Sequence, residues 1–280
     1  MLLQDKVVVV AGVGPGLGRS IALQSARAGA DVVLAARTAS RLDDVAKEVT
    51  ALGRRGRAVP ADVTDGQAAA RLAQAALGAF GRVDALVYNA LAMPPIKDLA
   101  DVDLDKVRAG FEDNVVAALR LTRLFIPALA ATSGSVVMVN SMVVRYSQRT
   151  MGPYKLAKAA LLAMAQSLAT ELGPRQIRVD SVAPGHIWGD SLKWYFGYLA
   201  RRRGVDAQQV YDETAAGIDL GRLPDGVHTR STPRQACSGR SSSPGCPVPA
   251  PPRCTGCSRP TRHTRAWRSG SRRRRSPARH

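Results

Sequence analysis

Three residues in the middle of the chain have the types and spacing needed for proton transfer to an oxygen atom. Tyr154 and Lys158 are four positions apart in a helical pattern, so they lie on one face of that helix. A free tyrosine titrates near ~10, too high for proton transfer at neutral pH, and a neighbouring ammonium group lowers that pKa. Ser141 ends a predicted strand and can donate to the same substrate oxygen. Taken singly, these residues are equally well explained as a helix cap, a half-buried ring and a surface charge.

A glycine-rich loop near the start of the chain has the composition of a phosphate cradle. Residues 11–18 read AGVGPGLG, between a run of valines and a helical pattern. Glycines let the backbone approach a pyrophosphate, and the N-terminus of the next helix offers N–H groups to it. The spacing differs from the common G-x-G-x-x-G, and a plain glycine turn remains the alternative. The predicted dinucleotide-binding residues of this loop are Gly12, Gly14, Gly16, Leu17 and Gly18.

The end of the second predicted strand indicates which dinucleotide binds. An acidic residue at this place bonds the ribose 2′-hydroxyl of NAD, whereas an arginine accommodates the 2′-phosphate of NADP. Here the chain reads Ala36-Arg37, and Arg41 follows one helical turn later. The sequence therefore favours NADP(H) over NAD(H). The alternative is that Arg37 is only a solvated surface charge.

Alternating strands and helices must position these residues. Short β-branched runs predict strands at 7–11, 31–35, 57–60, 83–87, 135–140 and 177–183, and Ala- and Leu-rich stretches predict helices at 17–28, 40–52, 67–80, 104–131 and 154–172. Most of the strands are apolar on both faces, which is typical of a parallel sheet covered by helices. We predict an α/β fold, a doubly wound parallel sheet, with the ligand site beyond the carboxyl ends of the strands.

The charge is concentrated at the C-terminal end. The formal net charge is +18, but residues 222–280 contribute 14 Arg and a single acid, Asp225. All four cysteines lie in this segment, so no disulfide is predicted before it. The predicted site residues include no metal ligand. The segment has too few apolar residues to offset its ordering entropy. We predict a globular domain at 1–223 and a disordered basic tail at 224–280.

The remaining expectations concern location. Residues 1–6 lead directly into the first valine run, with no basic and apolar segments of a signal peptide before it. No apolar run is as long as a bilayer span, so no membrane partner is expected. A cytoplasmic protein is the expectation.

Taken in order along the chain, these motifs resemble the short-chain dehydrogenase/reductase family of the compact, single-domain type. The resemblance covers nearly all of residues 1–221. Besides the glycine loop and the Ser141, Tyr154 and Lys158 set, it rests on elements that follow the third to sixth strands and on one helix. These are Asp62-Val63, Asn89-Ala90, Asn114 and Pro184-Gly185 with Ile187.

The resemblance implies hydride transfer between a nicotinamide and a carbonyl or alcohol carbon. Tyr154 would give or take the proton, Lys158 would lower its pKa and bond the nicotinamide ribose, and Ser141 would polarise the carbonyl. Asn114 would hold a proton-relay water. The resemblance also implies the strand order 3-2-1-4-5-6, a homodimer or homotetramer, and cofactor contacts from Arg37, Asp62, Val63, Asn89, Ala90, Tyr154, Lys158, Pro184, Gly185 and Ile187.

Residues of the predicted loops around the nicotinamide suggest a small apolar or cyclic substrate. The candidates are Met93, Met142, Val143, His186 and Trp188. The aromatic residues at 194–198 either form a lid over the substrate or only pack a helix. The function predicted is that of an NADP(H)-dependent carbonyl reductase or alcohol dehydrogenase.

The chain departs from the family pattern at several positions. Tyr88 and Leu91 replace the first Asn and the Gly of the element that contains Asn89-Ala90, and Asp180 replaces an Asn. From about Pro224 onwards, the final helix, the seventh strand and the glycine-rich end of the family are missing.

The tail has three interpretations. Its Arg, Pro, Ser and Cys content favours a reading-frame change in a GC-rich gene. Alternatively, Arg272–Arg275 bind nucleic acid non-specifically on a catalytically impaired body. A weaker alternative is zinc binding by Cys237, Cys246, Cys254 and Cys257.

Overall fold

The computed structural model describes residues 1–93 and 95–225. The described residues all belong to one compact unit. The arginines at 272–275 and the four cysteines lie outside the described residues, as does nearly all of the predicted tail. The three interpretations of the tail therefore stay predictions.

Six parallel strands form a single sheet, and their order across it is 3-2-1-4-5-6 when they are numbered along the chain, as predicted. Valine-rich sequences form its centre, where every residue of the first strand is buried. The predicted absence of a seventh strand concerns the chain after about Pro224, nearly all of which lies outside the described residues. The strands are β1 (Val7–Ala11), β2 (Asp31–Ala36), β3 (Gly56–Pro60), β4 (Ala85–Tyr88), β5 (Ser135–Val139) and β6 (Arg178–Val182).

Helices cover both faces of this sheet. One face packs against the third, fifth and sixth helices, and the other packs against the first two. Successive β1 residues alternate between these two cores, with Val9 in one and Val8 in the other. The helices are α1 (Leu17–Arg27), α2 (Ala39–Ala51), α3 (Gly66–Phe80), α4 (Leu104–Phe111), α5 (Ala117–Thr132), α6 (Gly152–Leu172), α7 (Asp190–Arg203) and α8 (Ala207–Ala216).

The predicted helix at 104–131 is interrupted in the structure. A π-helical turn, Glu112–Val116, separates α4 from α5. The whole stretch Leu104–Thr132 is long and apolar enough, by length and composition, to cross a membrane, and it is the one such helix among the described residues. Its residues Leu121, Phe125 and Leu129 are fully buried in the core against the sheet. These contacts are those of a core helix.

Two helices after β6 form a small separate core. Phe196 and Ala200 of α7 pack with Val210 and Ala215 of α8. The backbone N–H of Trp188 donates to the carbonyl of Pro224 at 2.7 Å, which ties the end of the described chain to the loop after β6. This core places α7 beside the carboxyl ends of the strands.

Candidate active site

A cleft of about 700 Å³ lies at the carboxyl ends of the strands. It extends from the glycine loop after β1 to the start of α7, and it contains every predicted cofactor-binding and substrate-binding residue. Of the four predicted catalytic residues, Ser141, Tyr154 and Lys158 line the cleft, whereas Asn114 lies behind its wall. The fold thus brings residues from distant parts of the sequence to one edge of the sheet, where α/β proteins bind ligands.

Two glycines of the loop are required by close backbone contacts. Gly12 has φ +94°, and a Cβ atom there would lie 2.4 Å from the backbone nitrogen of Ala90. A Cβ atom on Gly18 would lie 2.2 Å from the carbonyl oxygen of Gly12. Gly14 and Gly16, in contrast, have open space where a Cβ would point. The loop therefore packs tightly against the protein on one side and leaves its other side free for a ligand.

Asn89 holds this loop to the end of β4. Its side-chain amide donates to the carbonyl of Gly12 at 2.7 Å, and its backbone N–H donates to Ala11 at 2.8 Å. The helix α1 begins at Leu17, with no side chain capping it. This leaves the helix N-terminus directed at the cleft, an arrangement that suits a pyrophosphate.

Arg37 and Arg41 line the far end of the cleft, where both side chains are exposed. Asp62 lies beside them, and its carboxylate accepts hydrogen bonds from the Thr64 backbone at 3.0 Å and hydroxyl at 2.8 Å. These hydrogen bonds, with a smaller contribution from Arg37, lower the pKa of Asp62. Asp62 therefore stays charged and fixed in orientation.

Asp113 also lines this end of the cleft, and the sequence analysis missed it. Burial and the nearby negative charges of Asp62 and Glu112 raise its pKa. No sequence signal pointed to Asp113, because the predicted continuous helix at 104–131 did not reveal the π-helical turn that contains it.

The catalytic candidates meet at the middle of the cleft. Ser141 directly follows β5, and its hydroxyl accepts a hydrogen bond from the backbone of Val143 at 3.2 Å. Tyr154 lies in the first turn of α6 and Lys158 one turn later. The Lys158 side chain is buried, and its ammonium group donates to the carbonyl of Val139 at 3.0 Å.

The pKa of Tyr154 is shifted in the opposite direction from the one expected from the sequence. Burial raises it, and a hydrogen bond with Ser141 offsets only part of that effect. The Lys158 ammonium is not among the groups that shift this pKa, and it donates to the Val139 carbonyl. Burial lowers the pKa of Lys158 itself to about 8. In this state Tyr154 is a protonated phenol at neutral pH.

Asn114 is fully buried in the π-helical turn behind the cleft. Its side-chain amide donates to the carbonyls of Ala92 at 2.9 Å and Gly110 at 2.8 Å. Its Oδ1 atom has no hydrogen-bond partner among the described residues. The hydroxyl of Tyr88 donates to the carbonyl of Asp113, at 3.0 Å, in the same turn. Tyr88 thus supports this turn, whereas from the sequence it was only a departure from the family pattern.

The turn after β6 closes the cleft on the other side. The carbonyl of Pro184 accepts from the backbone of Met142 at 2.9 Å, and Gly185 packs close to the sulfur of Met142. His186 is half-buried, and burial lowers the pKa of its imidazole. The imidazole is therefore neutral at pH 7, which fits the wall of an apolar pocket.

Predominantly apolar side chains line the substrate end of the cleft. The predicted residues Met93, Met142, Val143, His186 and Trp188 all lie there. The structure adds residues that the sequence analysis did not select, namely Ile96, Tyr146, Met151 and Leu192. In the aromatic stretch of α7, the residues have different positions: Tyr195 faces the cleft, Phe196 is buried, and Trp194 is exposed and stacks on Tyr198.

Comparisons with known proteins agree with this geometry. The sequence profile of the family described as short chain dehydrogenase matches residues 6–193. An uncharacterized oxidoreductase of Mycobacterium tuberculosis is 41% identical over 200 residues, which cover 68% of this chain and 73% of that protein.

Two solved structures complete the comparison. A 7α-hydroxysteroid dehydrogenase complexed with NADH and 7-oxo glycochenodeoxycholic acid superposes with a TM-score of 0.66 and 33% identity, covering 69% of this chain and 75% of the other. L-sorbose reductase from Gluconobacter frateurii, complexed with NADPH and L-sorbose, superposes with a TM-score of 0.75 and 27% identity, covering 80% and 86% of the two chains.

Proposed function

The chain belongs to the short-chain dehydrogenase family of NAD(P)-dependent oxidoreductases that act on CH–OH groups, and we propose a more specific activity for it. It transfers a hydride between NADP(H) and the carbonyl or secondary alcohol of a small, apolar or cyclic substrate. Tyr154 is the general acid and base. The observation that supports this proposal is the meeting of Ser141, Tyr154 and Lys158 in the same cleft as the glycine loop.

The shape of the cleft fits a nicotinamide dinucleotide. The loop Gly12 to Gly18 and the N-terminus of α1 would hold the pyrophosphate, and Asp62 would orient the adenine ring. Pro184, Gly185 and Ile187 would surround the nicotinamide. When bound, the cofactor supplies or accepts the hydride, which the side chains of the protein cannot do.

The side chains of this chain supply the proton and the orientation. In the reducing direction, the phenol of Tyr154 donates its proton to the carbonyl oxygen while the carbon receives the hydride. The hydroxyl of Ser141 donates a hydrogen bond to the same oxygen and stabilises the negative charge that develops there. Because burial raises the pKa of Tyr154, the phenol is protonated at neutral pH and has a proton to donate. Efficient transfer requires that pKa to be lowered, which is the role of the Lys158 ammonium in this proposal.

Arg37 and Arg41 support the preference for NADP(H). Both guanidinium groups line the cleft at the end of β2, where an NAD-specific site would have a carboxylate. Guanidinium groups bind phosphate through paired hydrogen bonds. The two solved relatives were crystallised with different cofactors, so the preference has to come from these residues of this chain.

Binding measurements with matched variants test the cofactor assignment. Fluorescence titration of the full-length protein should show tighter binding of NADPH than of NADH. Arg37→Ala should weaken NADPH binding by about tenfold, which corresponds to one charge-assisted hydrogen bond, and leave NADH binding unchanged. An equal loss of affinity for both cofactors would show that Arg37 does not bind the 2′-phosphate.

Turnover measurements test the role of Tyr154. Tyr154→Phe should abolish reduction of cyclic ketones while NADPH still binds. A variant that retains turnover would refute the assignment of Tyr154 as the general acid. Loss of both turnover and NADPH binding would point to a damaged fold, which circular dichroism would detect.

A further inference from the structure

The outer edge of β6 presents backbone groups that no described residue binds. Arg178 donates to Gly134 at 3.1 Å, and Val182 accepts from Asn140 at 2.7 Å, so these residues of β6 face β5. Neighbouring residues of a strand direct their backbone groups to opposite edges. The N–H and C=O groups of Val179 and Ser181 therefore point away from the sheet.

The side chains along this edge are accessible. Arg178, Asp180 and Val182 lie on one face and are exposed, with Val182 52% exposed. Within the described residues, neither Arg178 nor Asp180 forms an ion pair. A free strand edge with an exposed valine is a template for pairing with another strand.

We propose that β6 pairs with β6 of a second copy of this chain. The two strands are antiparallel about a two-fold axis at Val179, which joins the two sheets into one. The same surface is used by both copies, as in other two-fold dimers.

Charge complementarity favours this register over the two neighbouring ones. An axis at residue 178 would place Arg178 opposite Arg178, and an axis at residue 180 would place Asp180 opposite Asp180. An axis at Val179 places Arg178 of each copy opposite Asp180 of the other. These are positions without backbone hydrogen bonds, where the side chains of opposite residues are closest.

The backbone groups available at the edge match the same register. The N–H of Val179 in each copy donates to the carbonyl of Val179 in the other. The N–H of Ser181 donates to the carbonyl of Ile177 in the second copy. The N–H of Ile177 takes no part, because it already donates to Leu172 at 3.3 Å within its own chain.

The edge of β6 is better matched by β6 of a second copy than by residues 226–280 of the same chain. Residues 226–280 contain eight prolines and 13 arginines. Proline has no N–H to donate to a strand edge, and it is depleted in strands. The β6 sequence, in contrast, has the alternation of charges that pairs with itself.

A charge-swap series tests the proposal on the full-length protein. Sedimentation velocity at increasing concentration should show a dimer whose dissociation constant rises with salt. Arg178→Asp and Asp180→Arg each place like charges opposite one another at two symmetric positions. Each variant should weaken dimerisation by about tenfold or more, and the double variant should restore it.

Control measurements separate the interface from the fold. Arg71→Asp makes the same charge change on α3, where the side chain is 64% exposed, and should leave dimerisation unchanged. Titration with NADPH and circular dichroism should show that the edge variants are folded. The proposal is overturned if the protein is monomeric throughout, if both single variants dimerise like the wild type, or if the double variant is no better than the singles.

Discussion

The hydroxyl of Tyr88 offers a sharp test of how the turn that contains Asn114 is held. Tyr88 is 1% exposed, and its hydroxyl donates to the carbonyl of Asp113 at 3.0 Å. Tyr88→Phe removes this hydrogen bond and keeps the ring, so no cavity forms. We expect the π-helical turn to loosen and Asn114 to lose its position behind the wall of the cleft.

The expected magnitude follows from the surroundings of the bond. A hydrogen bond between neutral groups contributes about 1 kcal/mol net, and an acceptor left buried and unsatisfied adds up to ~2 kcal/mol more. Asp113 is only half-buried, so water can replace the phenol at its carbonyl. We therefore expect the free energy of unfolding to fall by about 1 kcal/mol. With a urea m-value of about 2 kcal/mol/M, the midpoint falls by about 0.5 M.

The assay combines urea unfolding with steady-state kinetics. A small displacement of a catalytic support lowers kcat more than binding, so kcat should fall by about tenfold with little change in the KM for NADPH. Tyr211→Phe is the matched control, since it removes a tyrosine hydroxyl that accepts from Leu223 at 3.3 Å, outside the cleft. It should lower stability but not kcat. If Tyr88→Phe changes neither quantity, or changes stability alone, the reasoning is refuted.

Three further predictions concern stability and the loop. Burial lowers the pKa of Lys158 to about 8, below its unfolded value of 10.5, so the free energy of unfolding should rise with pH between these values. Lys158→Met should remove this rise, which thermal melts at pH 7.5–9.5 would measure. Gly12→Ala should destabilise the fold by at least ~2 kcal/mol and abolish NADPH binding, whereas Gly78→Ala, with open space around it, should stabilise α3 by about 0.5 kcal/mol in urea unfolding. Burial raises the pKa of Asp84, but its hydrogen bonds outweigh this effect and lower the pKa below 3.8, so the free energy of unfolding of the wild type should fall more steeply below that pH. Asp84→Asn should be less stable at pH 7, and its free energy of unfolding should fall less steeply in acid.

Much of the fold could be predicted because the sequence patterns are local. The valine run at 7–10 is β-branched and buried on both faces, which is typical of a central parallel strand. The predicted strand and helix boundaries agree with the structure to within a few residues. The exception is the π-helical turn Glu112–Val116, because the hydrophobic pattern of the flanking helices continues through it.

The candidate site also has a part that the sequence could predict and a part that it could not. The glycine loop and the Tyr154 and Lys158 pair have fixed spacings, so they could be found from the residues alone. Asp113 and the supporting bond from Tyr88 could not, because each depends on a contact between segments distant in sequence. The apolar substrate wall was found only in part for the same reason.

The sequence by itself determined the order of strands and helices, the family and the identity of the reactive side chains, since these depend on local periodicity and spacing. Only the tertiary structure decided the protonation of those side chains. Burial raises the pKa of Tyr154 and lowers that of Lys158 because the folded protein removes water from both, and the Lys158 ammonium donates to the Val139 carbonyl. Desolvation is a property of the assembled core, and no spacing along the chain encodes it directly.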